Sequence, residues 1–89
     1  MERDEVKMRI RRVILKTTSL RPERLGDDTS FRNELDLDSL SLLEIGVDVD
    51  YEFGLGLPDE RYSGLDTIEQ TAELVLAELA TRTGAAAEA

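Results

Sequence analysis

The sequence predicts an all-α fold: a small four-helix bundle of three main helices and one short helix, with a long ordered loop between helices 1 and 2. Three observations lead there. Apolar residues recur at three- and four-residue spacing over 2–17, 39–53 and 67–79. Gly and Pro, the strongest local breakers, gather between those stretches, at Pro22 and Gly26 and again at Gly54, Gly56 and Pro58. With no cysteine and four aromatic residues, the core must be aliphatic, without disulfides or thiolate metal sites. A chain of 89 residues makes one small domain, burying roughly 60–65% of the surface it exposes when unfolded.

Helix 1 is expected over Glu2 to Thr17, with Val6, Ile10, Val13, Ile14 and Thr17 on its apolar stripe. Arg3, Lys7, Arg9, Arg11, Arg12 and Lys16 cover the rest, reading as a solvated face attracted to the acidic remainder of the chain. The segment 18–38 is too long for a plain connector. Leu20, Leu25, Phe31, Leu35 and Leu37 are spaced along it as pegs for a core, with room for one short helical turn.

Helix 2, Ser39 to Phe53, is apolar on two opposite sides at 100° per residue. Leu42, Ile45, Val49 and Phe53 share one; Leu40, Leu43, Val47 and Tyr51 share the other. Glu44, Asp48 and Glu52 form an acidic ridge on one flank, with Asp50 on the other. Like charges at i, i+4 are unfavourable, and Gly46 in mid-helix costs about 1 kcal/mol relative to alanine. A helix built for stability alone avoids both, so one stripe reads as core and the other as a binding strip. Asp59 to Leu65 can hold the short helix. Asp66 or Thr67 caps the last helix, Thr67 with Gln70 fitting a capping box, and Ile68, Ala72, Val75, Leu76 and Leu79 supply its buried stripe. The domain then spans 1–82, and the small residues of 83–89 form a flexible tail.

Net charge is −9, unevenly spread. Residues 1–24 hold eight basic and four acidic residues; 25–89 hold three basic and sixteen acidic. Such acidity repels phosphate and argues against nucleic acid as a partner, favouring basic protein surfaces. No apolar run approaches a membrane span and the N-terminus is charged, so a cytoplasmic monomer is expected, without a membrane partner.

Ser39 stands where loop becomes helix. As a local feature it is an N-cap, whose oxygen accepts a bond from an unpaired helix amide. Asp38 competes for that role, which leaves the Ser39 hydroxyl less constrained. A catalytic serine needs a base and oxyanion donors; the chain has no histidine, and no constellation of lysine or carboxylate replaces it. No catalytic residue and no metal ligand is therefore assigned. Asp48-x-Asp50-x-Glu52 resembles the start of a calcium loop, but the glycine and bidentate glutamate needed further on are Phe53 and Asp59.

Asp38-Ser39-Leu40 resembles the Asp-Ser-Leu modification motif of acyl carrier proteins. The likeness runs from about Phe31 to Leu79, through Glu44, Phe53, Pro58-Asp59-Glu60 and Thr67-Ile68. The resemblance implies a non-catalytic carrier whose Ser39, flanked by Asp38 and Leu40, receives 4′-phosphopantetheine from coenzyme A through a phosphopantetheinyl transferase using magnesium. The arm would carry acyl chains as thioesters between acyltransferase- and ketosynthase-type enzymes of polyketide or fatty-acid-type biosynthesis. By the same resemblance Leu40, Leu43, Glu44 and Val47 face partners, with Asp48 beside them, while Leu42, Ile45, Val49 and Phe53 face the interior and the cargo. The rival readings are an unmodified interaction adaptor and an aminoacyl or peptidyl carrier.

Four features depart from the family pattern. Asp36 stands where glycine is common, though aspartate tolerates left-handed backbone. Gly46 and Asp48 occupy positions usually apolar or small, which bears on partner choice or cargo depth. The basic first helix is less typical. Together these lean towards a specialised pathway such as polyketide synthesis.

Overall fold

A computed structural model describes the backbone of residues 2–88 and the side chains of 2–82. Its elements run α1 (Arg3–Thr17), η1 (Pro22–Arg24), α2 (Ser39–Phe53), η2 (Asp59–Arg61) and α3 (Ile68–Glu88), where η marks a single 3₁₀ turn. The described residues are thus all-helical, with three α-helices. The short helix expected within Asp59 to Leu65 is only the η2 turn. Three residues with i→i+3 bonding fit between Pro58 and Gly64, each of which imposes its own backbone geometry. The side chains of the expected tail, 83–89, lie outside the described residues.

Helix α1 is the spine. It packs along both α2 and α3, whereas α2 and α3 scarcely approach each other. Val6, Ile10 and Ile14 are fully buried, and Val13 nearly so. Val49 and Ile45 from α2 join them, as do Ile68, Ala72 and Val75 from α3. The expected basic face of α1 is largely turned inward onto the acidic chain. Arg3 and Lys7 both pair with Glu69 (Lys7 at 2.6 Å), Arg11 with Asp27 at 2.7 Å, and Arg9 with Glu52 at 2.8 Å while lying over the Phe53 ring. Lys7 first and Arg3 second hold the Glu69 carboxyl below its ordinary range. These half-exposed pairs orient helices more than they stabilise them.

The loop 18–38 is ordered because its pegs are buried and its backbone is tied to the start of α3. Leu25, Phe31 and Leu35 sit in the core, with Leu20 and Leu37 packed against it, as their spacing predicts. The Phe31 amide donates to the Asp66 carbonyl at 2.7 Å, and the Glu69 amide to the Asp27 carbonyl at 3.0 Å. The Ser30 hydroxyl donates to Asp66 Oδ2 at 2.5 Å, and this bond chiefly lowers the Asp66 pKa. Thr67 is the cap of α3, accepting from the Gln70 amide at 3.1 Å. The return bond falls one residue early, Gln70 Oε1 accepting from the Asp66 amide at 2.7 Å, because Asp66 is already held by the loop.

Asp36 adopts φ 55°, the only non-glycine residue with positive φ among the described residues. This turn lets the Leu37 amide return to the Phe31 carbonyl at 3.0 Å and aims the chain into α2. A β-branched side chain resists that geometry by about 1–2 kcal/mol. In urea unfolding, Asp36→Val is expected to lower stability by that amount, while Asp36→Gly should leave it within about 0.5 kcal/mol, relief of strain offsetting added chain entropy.

Candidate functional site

Helix α2 begins with Asp38, whose Oδ1 accepts from the Ser41 amide at 2.8 Å. That bond chiefly holds the Asp38 carboxyl below its ordinary range. The competition for the cap is therefore won by Asp38. Ser39 becomes the first helical residue, exposed, and its hydroxyl makes no hydrogen bond among the described residues. An unbonded hydroxyl at the positive end of a 15-residue helix is placed to accept an electrophile and to keep a phosphate ester beside a favourable dipole.

Two surfaces diverge from this point. Outward, Leu40, Leu43, Val47 and Tyr51 are 64%, 45%, 48% and 88% exposed, too much apolar surface on one helix to be core. Glu44 borders them with no partner among the described residues. The rest of the acidic ridge is engaged internally: Asp48 Oδ2 accepts from the Thr17 hydroxyl at 2.5 Å, and Glu52 is paired with Arg9. Asp48 thus lies at the strip but also ties α2 to α1. The residues of the calcium-loop pattern all sit inside α2 with separate partners, and no metal-holding cluster occurs among the described residues.

Inward, a cavity of about 300 Å³ opens beside Ser39 and runs between α2 and the segment before α3. Ser39, Leu42, Leu43, Ile45, Gly46 and Val49 form its α2 wall, Leu43 bordering both surfaces, and Phe31, Tyr62 and Leu65 face them. It exists because α2 and α3 are splayed on α1. Its volume is at the low end of small-ligand pockets. Of the interior residues expected from sequence, Leu42, Ile45 and Val49 line it; Phe53 does not, and lies under Arg9 instead.

Sequence reading placed Asp50 on the flank opposite the acidic ridge and gave it no role. The helix ends in a left-handed Gly54 (φ 62°), with the Leu55 amide returning to the Asp50 carbonyl at 3.1 Å and the Gly54 amide to Tyr51 at 3.2 Å, a Schellman closure. The Asp50 carboxylate then gathers the chain beyond the helix end. Oδ1 accepts from the Tyr62 hydroxyl at 2.6 Å and the Leu57 amide at 2.8 Å, and Oδ2 from the Gly56 amide at 3.1 Å. Burial alone would raise this carboxyl, but the three donors outweigh it and its pKa falls below the usual value. Burial, and then the bond to Asp50, pushes the Tyr62 phenol well above its ordinary range. The one sequence signal was Gly46, an unfavourable helix residue with no local reason.

The family model for the phosphopantetheine attachment site matches residues 9–75. The chain is 35% identical over 65 residues to the meromycolate extension acyl carrier protein of Mycobacterium tuberculosis, covering 73% of this chain and 56% of that protein. It is 34% identical over 65 residues to acyl carrier proteins of Rhodococcus erythropolis and Renibacterium salmoninarum, covering 71% and 80% of those proteins. The chain spans little more than half the length of the meromycolate relatives.

Proposed function

This chain belongs to the acyl carrier protein family, and on that premise we propose that Ser39 carries the family's covalent 4′-phosphopantetheine and that the chain presents acyl intermediates to enzymes of fatty-acid-type biosynthesis. The observation that carries the proposal is the Ser39 hydroxyl: exposed, unbonded and at the first turn of α2, with Asp38 as the cap. The arm, when attached, supplies a thiol that holds acyl groups as thioesters. The residues fit it. Asp38 holds the first turn so that Ser39 Oγ faces outward, and the turn's unpaired amides offset the charge of a phosphodiester. Leu42, Ile45 and Val49 offer an apolar refuge that keeps water from a thioester. The names of the relatives support fatty-acid-type chain building over the polyketide lean of the sequence.

The outward strip suits partners met briefly. Leu40, Leu43 and Val47 supply apolar contact, while Glu44 and Asp48 steer basic surfaces in a salt-sensitive way. An acyltransferase or ketosynthase would use this face, as would the loading transferase. Leu40→Asp is expected to lower kcat/KM of a phosphopantetheinyl transferase for this protein by about 10- to 100-fold, the effect of one interface anchor. Its thermal midpoint should not move, since Leu40 is mostly exposed.

The reading is tested by intact-protein mass measurement before and after incubation with coenzyme A, magnesium and a broad-specificity transferase. One added phosphopantetheine is expected. A folded protein that gains nothing from an active transferase would favour an unmodified adaptor.

A further inference from the structure

Gly46 is buried at mid-helix in α2, and a Cβ there would lie 2.9 Å from Tyr62 Cβ and 3.2 Å from its Cγ. The clash would be with the root of the tyrosine, which cannot swing aside without moving the backbone. The missing side chain on α2 is therefore the space that Tyr62 fills. The phenol is fixed at its other end, donating to Asp50 Oδ1 at 2.6 Å. Gly46 and Asp50 lie on one face of α2 a turn apart, so the ring is held along that face, fixed at both ends. That ring is also a wall of the cavity that opens at Ser39. Gly46 is seven residues beyond Ser39, about 10 Å along the helix axis.

We propose that Tyr62 is a specificity-determining residue: held against Gly46 and tethered by Asp50, its ring limits the cavity to short and medium acyl chains. This rests on the carrier reading and deepens it by naming the cargo class. Its other apolar walls include Phe31, Leu42, Ile45, Val49 and Leu65, which attract methylenes without discriminating among them. The phenol combines a close backbone approach with a half-buried hydrogen bond, so it yields little. A longer chain would have to break the Tyr62–Asp50 bond or leave its end in water.

With a broad-specificity transferase and magnesium, the test transfers saturated acyl-4′-phosphopantetheine groups of increasing length from acyl-coenzyme A onto the Ser39 hydroxyl, with adenosine bisphosphate leaving, and confirms each by mass. Each thermal midpoint is then read against the unacylated, arm-bearing form of the same variant, so that any general destabilisation cancels. In the wild type the midpoint should rise by about 5 °C or more across the shorter chains and then level off. In Tyr62→Ala the rise should continue for about two to four carbons more, the room that a phenol ring gives up. Tyr62→Leu should show the same extension if the alanine variant does not fold. Tyr62→Phe keeps the ring against Gly46 but loses the bond to Asp50, so its limit should fall between those of wild type and Ala. Equal limits in wild type, Ala and Leu variants would overturn the inference. Absence of any mass gain on the wild type would sink the carrier reading and this inference with it; full loading with equal limits would sink the inference alone.

Discussion

Replacing Ser39 with alanine is expected to abolish phosphopantetheine attachment entirely while leaving the thermal midpoint of the unmodified protein within about 2 °C of wild type. Both halves rest on the start of α2. The helix is capped by Asp38 through the Ser41 amide, so removing the Ser39 hydroxyl breaks no bond. Alanine is also the better helix former at the first helical position. A transferase, in contrast, has no other acceptor in this geometry: Ser41, the next hydroxyl, lies two residues on and is half-buried. Asp38→Ala should separate the roles in the other direction, lowering the midpoint through the lost cap. Intact mass and circular dichroism melts on the two variants check this. A mass gain that survives in Ser39→Ala would mean another residue is modified.

The second large effect belongs to Asp50, far from the modification motif. Asp50→Ala is expected to destabilise the protein by about 2–4 kcal/mol. Hydrogen bonds to a charged group contribute about 1.5–3 kcal/mol each, and the Gly56 amide, exposed here, can turn to water. Leu57 and Tyr62 are half-buried and would be left partly unsatisfied. For a domain of this size the change corresponds to a midpoint lower by about 10–25 °C.

The pH dependence has a definite sign. Asp50 titrates below its unfolded value, so its contribution is present above the usual aspartate range and is lost as pH falls through the depressed folded pKa. Tyr62 titrates above its unfolded value, so its share holds below the ordinary tyrosine range and is lost as pH rises through the elevated one. Asp50→Asn should therefore unfold less steeply in acid than wild type. An unchanged acid slope would show that the carboxylates of Asp66 and Glu69, also depressed, carry the transition without it.

The residues alone determined what depends on neighbours along the chain. Helical period sets α1 and α2 almost to the residue, because side chains three and four apart must share a face whatever they pack against. The same period exposed the two-sidedness of α2, hence the outward strip of Leu40, Leu43 and Val47 and the inward row of Leu42, Ile45 and Val49. Asp36 drew attention only through the resemblance, as standing where the family often has glycine; its left-handed φ of 55° is a structural finding. Ser39 drew attention through the motif around it.

Tertiary structure decided what depends on groups meeting across long stretches of chain. The inward turn of the basic face needed α3 and the loop to bring Glu69 and Asp27 beside it. The fourth helix shrank to a single turn because Asp50 gathers Gly56, Leu57 and Tyr62 into a bonded loop instead. Gly46 shows the division most sharply. As a letter it is a poor helix residue; only the arrival of Tyr62 from sixteen positions away supplies its reason. Local periodicity records which side a residue faces, and not which distant group will occupy the space it leaves.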